Sequence, residues 1–138
     1  MWNLDDESRF AKIHSFTYHS VFTYADTRPG RTDKEKREYI RGVAAKNLPS
    51  PIPKVAWWAF RIFVRKSGRN RIDIENVPKL IVDAFSAWQI SRDNSPFLDL
   101  VLYADDTIDH VRFVQVAGKR TESEELTSVE IFGRRLDA

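Results

Sequence analysis

Along residues 54–66 the side chains alternate, with Trp58, Phe60, Ile62 and Val64 on one side and Arg61 and Arg65 on the other. A period of two in aromatic and β-branched residues predicts a strand near the centre of a sheet. Alternation also runs through residues 13–24, where Phe16, Tyr18, Phe22 and Tyr24 share a side, predicting a strand or hairpin ended by Pro29-Gly30. Residues 108–116 and 127–132 read as two more strands, with Gly118-Lys119-Arg120 opening the loop between them and the acidic stretch from Glu122 to Glu125 exposed.

Helical spacing appears twice. Thr32-Asp33-Lys34-Glu35 has the form of a capping box, and Tyr39, Ile40, Val43 and Ala44 follow on one face, predicting a helix over residues 33–46. Pro49, Pro51 and Pro53 cannot continue it. Val77, Leu80, Ile81, Ala84, Phe85 and Trp88 form the apolar stripe of a second helix over residues 75–88, with Pro78 tolerated in its first turn. Residues 91–104 read either as a short helix capped at Ser95-Pro96 or as a strand from Leu98. The expected architecture is one α+β domain spanning residues 1–138, with a mixed sheet of about four to five strands flanked by two main helices.

Composition narrows the chemistry. At 138 residues and 42% hydrophobic content, the chain can bury roughly two-thirds of its unfolded surface without a covalent or metal staple. It has no cysteine, which excludes disulfides, thiolate zinc sites and cysteine nucleophiles. His14, His19 and His110 lack ligand spacing, so carboxylates binding Mg²⁺ or Mn²⁺ are the natural metal chemistry. No apolar run reaches the roughly 20 residues needed to span a bilayer, and the opening Met-Trp-Asn-Leu-Asp-Asp-Glu is no signal peptide. A cytoplasmic location without a membrane partner is the expectation.

The net charge of +2 implies no partner by itself, but its distribution is uneven. Arg61, Arg65, Lys66, Arg69 and Arg71 form an acid-free stretch that leads directly to Asp73 and Glu75. Polyanion attraction beside carboxylate ligands is what a phosphodiesterase needs. A solvated strand end and turn would look the same.

If Asp73 and Glu75 enter a helix, both side chains can converge near its N-terminus, where backbone N–H groups favour negative charge. Lys79 comes one turn later, off the apolar stripe, where it can meet a phosphate as a point charge; Asp83 follows one turn on, where it can orient Lys79. The alternatives are helix-capping acids, an ordinary i, i+4 surface pair, and a solvated turn at Asp105-Asp106, of which at most one side chain faces the site. Trp58 and Trp88 fit apolar faces, Trp57 points the other way toward a helix or a dimer partner, and His110 reads as structural.

The joint pattern of Arg71, Asp73, Glu75, Asn76, Lys79, Asp83, Asp105 and Asp106, followed by a β-rich tail, resembles the RusA family of Holliday-junction resolvases. The likeness runs over roughly residues 55–132, with Glu75 where aspartate is usual and Asp93-Asn94-Ser95-Pro96 resembling an insertion. It implies a homodimer that cuts four-way junction DNA with Mg²⁺, or Mn²⁺ in its place. It makes Asp73, Glu75 and Asp106 metal ligands, Asp105 an auxiliary ligand and Lys79 catalytic, with Asn76 and Asp83 in support. Arg65, Lys66, Arg69, Arg71 and Lys119 would then hold the DNA backbone. Rival readings are a related nuclease for other branched or single-stranded DNA, a DNA-binding dimer without metal affinity, and a structural domain whose carboxylates are caps.

Overall fold

Strand β2 (Trp58–Lys66) is the spine of the sheet, hydrogen-bonded on both edges. In a computed structural model, which describes residues 2–24 and 30–137, the other elements are β1 (Phe10–Tyr18), α1 (Asp33–Ala44), α2 (Asn76–Ala84), α3 (Ala87–Arg92), a 3₁₀ turn (Leu98–Leu100), β3 (Val111–Arg120) and β4 (Leu126–Arg134). The sheet order is β1-β4-β2-β3; β4 runs antiparallel to both neighbours and β3 parallel to β2. This is a single α+β domain with a four-stranded mixed sheet and three α-helices among the described residues. No helix among them is long and apolar enough to cross a membrane.

The main core lies between the helices and one sheet face, where Phe16, Tyr18, Phe60, Ile62, Val129 and Ile131 meet Ile40, Leu80 and Phe85. The other face carries a smaller cluster of Leu4, Phe10, Trp57, Ala59 and Phe132 at one end only. Trp57 is thus buried by its own chain, with the Trp2 ring 4.7 Å away. A register shift between Lys12 and His14 explains why Phe10 and Phe16 serve different clusters although both are at even positions. An extra residue in one strand reverses the facing of everything beyond it.

Several expected boundaries move. The first strand ends at Tyr18, not Tyr24; Val21, Phe22 and Thr23 stay buried but wrap off the sheet, held where Thr127 donates to the Ser20 carbonyl (2.6 Å) and Lys36 to the Thr23 carbonyl (2.9 Å). Pro29, read as its stop, lies outside the described residues. Helix α1 has the expected capping box: Thr32 Oγ1 accepts from the Glu35 amide and the Glu35 carboxylate from the Thr32 amide. The inward side of α1 carries Lys36, Arg37 and Arg41 beside Ile40 and Ala44.

The expected second helix is two helices. Ser86 is extended, caps α3 by accepting from the Gln89 amide, and pairs with Tyr103 as an isolated bridge. Local side-chain bonding and a strand-like contact outweigh helix propensity here. Trp88 therefore leaves the apolar stripe and is 58% exposed, with the Arg92 guanidinium over its ring. Of residues 91–104, Ser91 and Arg92 close α3, and the rest form neither proposed element beyond the 3₁₀ turn and that bridge.

Strand β3 starts at Val111, leaves Ile108 exposed in a turn, and continues through Gly118-Lys119-Arg120, which is not a loop. A side chain at Gly118 would bring its Cβ within 3.0 Å of Ile74 Cδ1 and 3.2 Å of the Val64 carbonyl. Absence of a Cβ lets the segment before α2 lie close against this strand.

Candidate functional site

Burial alternates through residues 71–75, which run extended to Asp73 and turn at Ile74 and Glu75. Ile72 and Ile74 line a cleft of about 210 Å³ over Val64 and Gly118, while Arg71, Asp73 and Glu75 are exposed. The Asn76 amide then donates to the Asp73 carbonyl (3.0 Å) and α2 begins. Glu75 stands at the N-cap position with helical torsions, and its side chain makes no capping bond.

Lys79 lies one turn into α2 and is 57% exposed at its side chain. Its ammonium pairs with the Asp106 carboxylate and lies 3.4 Å from Asp83 Oδ1. Lys79 and Asp106 are 27 positions apart in the chain, so the contact closes the two halves of the motif in space. Hydrogen bonding to Asp106 raises the Lys79 pKa, and the same contact lowers that of Asp106. Asp83, with only 14% of its side chain exposed, goes the other way because burial and the nearby Asp106 penalise its charge.

Asp105 turns away from this group. Its carboxylate accepts from the Thr107 hydroxyl (2.7 Å) and amide (3.2 Å), which lowers its pKa, and His110 Nε2 lies 4.0 Å off. Asn76 is half-buried at the first residue of α2. Asp73, Glu75, Asp105 and Asp106 were expected to gather around magnesium. Among the described residues no three histidine, aspartate or glutamate side chains are arranged to hold a metal ion. With Asp106 committed to Lys79, Asp105 to Thr107, and Asp73 and Glu75 exposed, the expected set does not fit the ion in this arrangement.

The basic residues also divide. Arg65, Arg69, Arg71 and Lys119 are exposed, and Lys119 stands beside Arg65 in the β2–β3 register. Lys66 does not belong with them: it is 5% exposed, paired with Glu125, and donates to the Ser67 carbonyl (3.1 Å). It is on the core side of β2, where period-two alternation puts even positions.

Behind Asp83 lies a network that sequence reasoning missed. Tyr24 donates to Asp83 Oδ2 (2.6 Å) and accepts from Arg37 Nη1 (3.0 Å). Arg37 grips Asp93 through Nε (2.7 Å) and Nη2 (2.8 Å); Arg41 Nη1 adds a bond at 2.9 Å and Gln89 another at 3.1 Å. Arg41 Nε also donates to the Ala84 carbonyl at the end of α2 (2.6 Å). Burial and the neighbouring Asp83 carboxylate push the Tyr24 hydroxyl pKa up. The only sequence signal was Arg37 and Arg41 four apart on the face that also carries Ala44; Asp93 had looked like part of an insertion.

Compared with known proteins, the chain matches no family model, no curated protein and no solved structure. What the site can do therefore rests on its own geometry. That geometry offers an exposed lysine held by two carboxylates, the exposed acids Asp73 and Glu75 just before its helix, and exposed cations on β2, β3 and the loop after β2, of which Arg65 and Lys119 share the sheet face away from the helices.

Proposed function

We propose that the chain is a structure-selective DNA endonuclease of the RusA kind, acting on four-way junctions at the surface around Lys79. The observation that carries this reading is the Lys79–Asp106 contact, which unites the two motif segments where the Ser86–Tyr103 bridge brings the later one against α2. Lys79 would meet the scissile phosphate as a point charge, exchanging one anionic partner for another, while Asp83 keeps its stem aligned along α2. Arg65 and Lys119 side by side repel each other in the bare protein, a cost that a phosphate backbone relieves. Arg69 and Arg71, exposed in the segment between that pair and the motif, would add backbone contacts that carry no sequence readout. Paired cuts on a symmetric junction call for two sites related by a two-fold, hence a homodimer.

The resemblance implies magnesium or manganese, which the carboxylates do not fit in this arrangement. That same disposition, with Lys79 already neutralised, favours a second reading: a dimer that binds DNA without cutting it. One assay separates them. Labelled four-way junction, duplex and single-stranded DNA are incubated with the protein in Mg²⁺, Mn²⁺ or EDTA. Junction cleavage that is lost in EDTA and in Lys79→Ala, with DNA binding kept, is the expected result. Retention of all three DNAs uncut under every condition establishes the binding role, and failure to bind any of them removes both readings.

A further inference from the structure

We infer that Tyr24 is a positioning residue for Lys79, acting through Asp83 and clamped from behind by the Arg37–Asp93 pair; the inference rests on the nuclease reading above. Lys79 and Asp106 are at the surface, whereas Arg37 and Asp93 are buried, and the Tyr24 hydroxyl stands between the two groups. It has one proton to donate and gives it to Asp83; its lone pair takes an N–H from Arg37. Arg37 is itself fixed by a two-pronged bond to Asp93, so the donor at Tyr24 has little freedom to turn elsewhere.

Asp83 needs that donor. Its carboxylate is largely out of water, one oxygen facing Lys79 and the other Tyr24. Loss of the hydroxyl leaves a half-buried oxygen without a partner, and the side chain must rotate or draw water in. Lys79 is more than half exposed and has four rotatable bonds, so without Asp83 as a second anchor it spreads over rotamers that do not reach Asp106. The chain of contacts from Asp93 through Arg37, Tyr24 and Asp83 to Lys79 thus converts the rigidity of the α1–α3 contact into a fixed direction for one surface ammonium group.

The test compares Tyr24→Phe, Asp83→Asn and their double variant, with Tyr39→Phe as a control on the other side of α1. Single-turnover cleavage of junction DNA, junction affinity and the ¹⁵N signal of the Lys79 ammonium, assigned with Lys79→Arg, are measured on each folded variant. We expect Tyr24→Phe and Asp83→Asn each to slow cleavage roughly tenfold, the size of one charge-assisted hydrogen bond, with affinity changed less than twofold. The double variant is expected to be no slower than the slower single, because both act through one contact. The Lys79 ammonium signal should broaden in both singles and stay sharp in Tyr39→Phe. Unchanged cleavage with an unchanged ammonium signal in Tyr24→Phe overturns the inference, as do losses that multiply in the double variant. If the wild-type protein cuts no DNA, the nuclease reading falls, and the ammonium signal alone decides whether Tyr24 positions Lys79.

Discussion

Asp93 and the pair Asp73 and Glu75 are carboxylates of one small domain held under opposite conditions. Asp93 is buried and accepts from two arginines and a glutamine, whereas Asp73 and Glu75 are exposed, and Glu75 does not even cap the helix that it starts. A buried charge is tolerable only while fully partnered, so it binds the elements that supply its partners: α1, α3 and, through Ala84, the end of α2. An exposed acid has no such claim on the fold. Its substitution is therefore a clean probe of function, while substitution in the buried cluster reports on stability first.

Asp93→Asn is the largest test of that division. It leaves the buried Arg37 guanidinium without its counter-charge and Arg41 with Glu38 alone, and should cost about 3–5 kcal/mol in urea unfolding; a loss below about 1 kcal/mol would mean that the cluster is not an anchor. Acid comes next. Burial alone would raise the Asp93 pKa, but hydrogen bonds from Arg37 and Arg41 outweigh it and bring the group to about 2 from 3.8. A depressed folded pKa contributes stability that is fully present above about pH 4 and is lost as pH falls toward 2. The loss should amount to about 2 kcal/mol across that window in wild type and vanish in Asp93→Asn, read from unfolding curves at successive pH values. The smallest stability effects belong to the exposed cluster: Lys79→Ala should shift unfolding by less than about 1 kcal/mol, and Asp73→Asn should leave the urea midpoint where it was, while both abolish any metal-dependent cutting. Unfolding of either variant would return these residues to the fold.

How far the sequence could be read follows the same line between local and distant causes. Strand β2 and helix α1 were legible because alternation and a capping box act within a few residues. The break at Ser86 was not, since its extended conformation is held by Tyr103, seventeen positions on, against a stripe of apolar residues that favoured one long helix. Lys66 read as a surface cation although its even position put it on the core side of β2; the partner that makes this tolerable, Glu125, comes from just ahead of the neighbouring strand β4, 59 positions on. At the site, the spacing from Asp73 to Asp83 already placed Lys79 on the free side of α2. The roles of Tyr24, Arg37 and Asp93 depend on three separate segments meeting, for which a single sequence offers little beyond the spacing of Arg37 and Arg41.

Strand β3 is hydrogen-bonded to β2 on one edge and, among the described residues, to no other strand on its outer edge. An open edge is a template for another chain, and long sheets can grow from it without limit. The composition of this one opposes such growth: Arg112, Lys119 and Arg120 occupy ten residues without a single acid. A second copy paired antiparallel at full overlap would set Arg112 against Lys119 at both ends of the joint. These three cations thus guard against fibril growth, and neutralising them should make the protein more prone to aggregate even where its folded stability is unchanged.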